Sequence, residues 1–160
     1  VDADLHVAMH EAKTVQFSFD SYSTADVLDD VKAYAVVHGA WPELIVVDNL
    51  MNLSRGGDDD LSSMTKAMDE LHALASMTGA CVLVLHHATG AYDDGDKPIP
   101  LSGLANKVSK LPAQVLTMHR KGDDVYVCPV KNRQGVADPS AGRQARLIFD
   151  GERMTFRDGN

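Results

Sequence analysis

Leu44-Ile45-Val46-Val47-Asp48 and Cys81-Val82-Leu83-Val84-Leu85-His86-His87 are the two stretches that decide the fold. Each opens with a short apolar run bounded by polar residues, which is the pattern of a buried strand rather than a helix. The segment between them repeats Met64, Met68, Leu71 and Ala75 at helical spacing and stops at Gly79, so a helix is expected over about 61–78. Strand, helix and strand make a βαβ unit. Such a unit demands parallel strands joined by a right-handed crossover.

Upstream, Ser23 or Thr24 caps a second expected helix, with Leu28, Val31 and Ala35 inward and Gly39 as its stop. Val15, Phe17 and Phe19 alternate with polar residues, so 14–19 reads as a strand. Residues 1–12 read as the tail of a helix, with Leu5, Met9 and Ala12 on one face. A polar loop is expected over 54–60. Downstream, 88–100 is a Gly/Asp/Pro-rich loop and 102–110 a short helix. Strands follow at 114–119, 125–131, 145–150 and 153–157. Lys121-Gly122-Asp123 and Asp150-Gly151 supply hairpin chemistry, so this part should be antiparallel. The expected fold class is α/β, with one partial domain over 1–160. Its mostly parallel sheet is flanked by helices and extended by a C-terminal antiparallel meander.

The 160 residues are 44% hydrophobic and 24% charged, which excludes disordered and fibrous chains. No apolar run approaches the roughly 18 residues of a membrane span, so no membrane partner is expected. Cys81 and Cys128 form no disulfide framework and no CxxC site, which suits a reducing, cytoplasmic setting. The first residues, Val-Asp-Ala-Asp, are no signal peptide and lack an initiator methionine, which suggests a piece of a longer protein. Net charge is −8, which taken alone argues against nucleic acid. Its distribution argues otherwise: residues 1–96 hold 4 Lys/Arg against 17 Asp/Glu, and residues 97–160 hold 11 against 6. A basic C-terminal part suits a polyanion.

Asp48 ends the first apolar run, and ligands of open α/β sheets bind beyond the carboxyl ends of the strands. A carboxylate there is placed to hold Mg²⁺ or Mn²⁺. The plain alternative is an Asp that caps the next turn. His86 and His87 end the second run and point opposite ways, so one can face the ligand crevice while the other packs. Lys131 and Arg133, two residues apart, project from one face of an extended segment and can embrace a phosphate. A solvated basic strand end is the alternative for that pair.

In their order, "ELIVVDNL", "VLVLHHATG", "PLSGLANKVSKLPAQVLTMHR" and "VKNRQG" resemble the part of a RecA-like ATPase that follows the P-loop. The chain is most similar to DnaB/RepA-type hexameric helicases and their phage relatives, over about residues 41–150. That resemblance implies a RecA-like sheet with Asp48 as the Walker B carboxylate. His87 matches the γ-phosphate sensor, and Lys131 and Arg133 match the cations that reach a neighbouring subunit's nucleotide. The loop 88–107 corresponds to the one facing single-stranded DNA, with Lys97, Lys107 and Lys110 as DNA-binding candidates. A homo-oligomer is implied as well, a ring being one form open to it. No G-x-x-x-x-G-K-S/T occurs in these residues, so ATP is an expected cofactor only if a P-loop lies upstream of Val1. Glu11 sits inside a helix-like run and is a poor match for the family's catalytic glutamate.

Three functions compete. The first is the core half of a helicase-type ATPase on single-stranded or branched DNA, phage-encoded and active in the host cytoplasm. The second is a metal-dependent, structure-specific nuclease using Asp48, Asp58, Asp59, Asp60, His86 and His87. The plain reading of the acidic triplet, a solvated loop and helix N-terminus where acids favour the dipole, outweighs the metal-site reading. The third is a non-catalytic remnant that binds DNA or oligomerises.

Overall fold

A computed structural model describes residues 15–18, 23–53 and 60–159. The chain divides into two compact units, Val1–Val84 and Leu85–Asn160.

In the first unit, helix α1 (Thr24–His38) begins where the sequence places it. The Ser23 hydroxyl accepts from the Asp26 amide, and the Asp26 carboxylate accepts from the Ser23 amide at 2.8 Å, a reciprocal capping box. Hydrogen bonds from the Ser23 amide and from the Ser23 hydroxyl hold the Asp26 carboxyl below the usual aspartate range. Gly39 closes the helix at φ 72°, a left-handed conformation that costs glycine nothing. Loss of the cap has a defined cost: Ser23→Ala should destabilise the protein by about 1 kcal/mol in denaturant titration. An unchanged midpoint would show that the cap contributes nothing.

Strand β1 (Leu44–Val47), the short helix α2 (Leu50–Leu53), helix α3 (Asp60–Thr78) and strand β2 (Cys81–Val84) follow. β1 and β2 pair in parallel from Leu44↔Cys81 to Val47↔Val84, as the crossover requires. α3 turns Met64, Ala67, Met68, Leu71 and Leu74 inward, an i, i+3, i+4, i+7 stripe, against a core with Val31, Ile45, Val47 and Leu50. α1 is tied to α3 by a hydrogen bond from the Thr24 hydroxyl to the Glu70 carboxylate.

In the second unit, three 3-10 segments (Gly90–Tyr92, Leu101–Gly103 and Ala105–Lys110) lead into four strands. These are β3 (Gln114–Lys121), β4 (Asp124–Asn132), β5 (Ala145–Asp150) and β6 (Thr155–Asp158), antiparallel in sequential order. Gly122-Asp123 makes the two-residue β3–β4 hairpin, with Gly122 at φ 64°. Cys128, Val130 and Ala141 form its fully buried centre, joined by Leu101 and Val115.

This is not a RecA-like, mostly parallel sheet extended by a meander. The strands form two separate sheets, one parallel with two strands and one antiparallel with four. The meander satisfies its own ladder through hairpins, and β3 follows a run of loops and 3-10 turns rather than pairing with β2. The apolar runs are not buried on both faces either. Ile45 and Val47 are buried, while Leu44 and Val46 are each 55% exposed and Leu83 is 48% exposed, so helices cover one face only.

The strand expected at 14–19 is also absent from its described part. Residues 15–18 pair with no described strand, and Ser18 instead donates a 2.8 Å bond to Asp30 of α1. The helix tail over 1–12, Glu11, and Asp58 and Asp59 of the acidic triplet lie outside the described residues. Among the described residues no helix is long and apolar enough to cross a membrane.

Candidate functional site

Asp48 follows the last residue of β1 and is exposed. The parallel register brings the carboxyl ends of β1 and β2 to one edge of their sheet, so the strand-end placement expected from the sequence holds within the first unit. The Asp48–Asn49 peptide is cis. Asn49 caps α2: its Oδ1 accepts from the Met51 amide at 3.0 Å, and its carbonyl accepts from the Asn52 amide at 3.1 Å. Of Asp48, the structure engages the main-chain carbonyl, which accepts a long 3.5 Å bond from Asn52 Nδ2. The turn after β1 is therefore held by Asn49 and Asn52, and Asp48 is not the residue that caps it. Asn49 ahead of Leu50-Met51 is an N-cap signal legible in the sequence.

Mg²⁺ is commonly held by one or two carboxylates together with phosphates and waters, whereas an all-protein cage needs several donors. Among the described residues no three His, Cys, Asp or Glu side chains gather as a metal-binding group. A single exposed carboxylate fits the first kind of site and not the second. The side chain of Asp60, like Asp58 and Asp59, is outside the described residues.

His87 and the other candidates belong to the second unit. His87 is exposed, and His86 is half-buried. Lys97 is exposed and its ammonium stands 5.5 Å from the Tyr92 ring centroid, a cation–π contact. Tyr92 in turn fills the space a side chain at position 103 would need: a Cβ on Gly103 would lie 2.8 Å from Tyr92 Cδ2 and 3.2 Å from Ile99 Cγ2. Lys110 is exposed, and the side chain of Lys107 is not described.

Lys131 and Arg133 come together on main chain. Lys131 Nζ donates to the carbonyls of Ser109 (2.5 Å) and Lys110 (2.8 Å), and Arg133 Nη2 donates to the same Lys110 carbonyl (3.0 Å). They cap the C-terminal end of the 3-10 helix Ala105–Lys110, where terminal carbonyls lack helical donors. Burial, and then the neighbouring guanidinium, lower the affinity of Lys131 for its proton. Sequence reasoning missed these partners because a carbonyl acceptor leaves no trace in residue identity.

Nearby, β3 carries His119, buried and stacked on Tyr126 of β4 with ring centroids 4.9 Å apart. Thr117 of the same strand donates to the Ile99 carbonyl at 2.8 Å, which fastens the loop between the first and second 3-10 segments to the sheet.

The chain is similar to two mycobacteriophage proteins. It is 40% identical over 153 residues to the Gene 65 protein of Mycobacterium phage D29, and equally to the Gene 65 protein of Mycobacterium phage L5. Each match takes in 90% of this chain but only 66% of the D29 protein and 57% of the L5 protein, so the chain spans less than two thirds of either relative. No family model matches it. The phage relatives therefore share the stretch containing nearly all of this chain.

Proposed function

We propose that the chain is part of a phage-encoded, helicase-type ATPase that acts on single-stranded or branched DNA in the host cytoplasm, assembled as a homo-oligomer. The observation that carries the reading is Asp48, an exposed carboxylate at the carboxyl end of a strand paired in parallel with its crossover neighbour. The order of the apolar runs, histidines and K-N-R-Q-G segment supports it, as does the similarity to phage proteins. In this reading Asp48 would help to hold Mg²⁺, which would supply neutralisation of phosphate charge. Lys131 and Arg133 would supply positive charge where negative charge develops on a phosphoryl group. The reading requires the intact protein to supply the phosphate-binding loop that these 160 residues do not contain.

The deciding experiment incubates the intact protein with forked and single-stranded DNA, with and without ATP and with Mg²⁺ or Mn²⁺. Strand separation that depends on ATP is the expected result. Cleavage that needs metal and no ATP would replace the reading with a nuclease, and binding without either activity would replace it with a non-catalytic role.

DNA affinity should fall as salt rises, because neutralised phosphates release counterions. Substituting Lys97 or Lys110 by Ala should lower the slope of log affinity against log salt by about one unit, alike for all sequences. Fluorescence anisotropy across a salt series measures this, and a slope unchanged in both variants removes them from the interface.

A further inference from the structure

We infer that Lys131 and Arg133 form an oxyanion switch, in which a phosphate group takes the two cations away from the carbonyls of Ser109 and Lys110 and uncaps the 3-10 helix Ala105–Lys110. The inference rests on the phosphate-binding role proposed for the pair and adds what that binding does to the protein. Both cations converge on one neutral acceptor, the Lys110 carbonyl, and Lys131 spends a second donor on Ser109. Among the described residues neither takes part in an ion pair. Two like charges are thus held side by side by carbonyl dipoles alone. A phosphate offers them formal negative charge and shorter, stronger hydrogen bonds than a neutral carbonyl does.

The main chain at this point is fixed, because the Arg133 amide donates to the Ala113 carbonyl at 2.9 Å. Strand β4 also carries a register shift opposite Val115 and Leu116, one residue before Lys131, where a bulge re-aims side chains. Exchange of partners therefore moves two long side chains and leaves the strand in place. The loss falls on a six-residue 3-10 helix, a form with poor internal hydrogen-bond geometry that depends on its cap.

Amide hydrogen exchange over residues 105–113 of the intact protein tests this, in buffer, with inorganic pyrophosphate, and with a single-stranded oligothymidylate, all at ionic strength matched with chloride. Either phosphate source should accelerate exchange in this segment by about tenfold, the scale expected when hydrogen bonds to charged groups are lost. The probe that acts identifies the source as a nucleotide-like phosphate chain or a DNA backbone. The double variant Lys131→Ala, Arg133→Ala should exchange fast already and ignore both probes. If that variant does not fold, Arg133→Gln should show a smaller response than the parent protein. Binding seen by calorimetry without faster exchange at 105–113, or an equal response to chloride, overturns the switch and leaves the phosphate reading standing. No binding of either probe overturns both.

Discussion

Mixed oligomers assembled from Arg133→Ala and Asp48→Ala subunits of the intact protein should recover ATP-dependent activity that neither variant has by itself. An arginine acting across an interface contributes about 10³-fold or more to phosphoryl transfer, so Arg133→Ala should lower turnover by at least that factor. In a mixture, some interfaces pair a subunit with intact Asp48 and one with intact Arg133, and those interfaces should work. Subunit exchange followed by a turnover assay measures the recovery. Arg133 also holds the Lys110 carbonyl, so its loss should loosen the 3-10 helix as well. Thermal melting separates the two effects. If mixed oligomers form yet no activity returns, and Arg133→Ala only lowers the melting temperature, the residue acts as a cap and not in trans.

The second large effect belongs to Asp48→Ala, which should cut metal-dependent activity by about 100-fold or more, the usual consequence of removing a group that stabilises charge at the reacting centre. Its stability should barely move. Asp48 is exposed, and Asn49 and Asn52 hold the turn around it, so truncation opens no cavity and strips no buried partner. Parallel measurement of turnover and melting temperature decides the matter. A variant that unfolds, with residual activity following the folded fraction, makes Asp48 a structural residue.

The βαβ unit was readable because every part of it has a local signal. The apolar runs 44–47 and 81–84 and the Met64–Leu71 stripe depend on residues close in sequence, as do the Ser23 and Gly39 caps of α1 before it. What those runs pair with depends on distant residues. Nothing in Gln114–Lys121 says that its ladder is completed by Asp124–Asn132 alone and not by β2. One continuous sheet was expected for that reason, and two were found. Full burial of Leu44 and Val46 was over-read from apolarity, because hydrophobic character shows what a side chain tolerates and not whether a neighbour covers it. Among site residues, the strand-end placement of Asp48 was legible. The engagement of Lys131 and Arg133 with Ser109 and Lys110 was not, since it involves main-chain oxygens some twenty residues away.

The stacked histidine of β3 makes the second unit sensitive to acid. Burial holds the His119 imidazole below the ordinary histidine value, and the Asp96 charge opposes this only in part. The unfolded chain therefore binds a proton at a pH where the folded one refuses it. Stability is complete above the ordinary histidine range and declines as pH drops through it toward the lower folded value. Urea midpoints measured between pH 8 and pH 5 should fall, and His119→Phe, which keeps a ring against Tyr126, should flatten the decline. If the midpoint is level through that range in the parent protein, His119 accepts its proton as readily folded as unfolded.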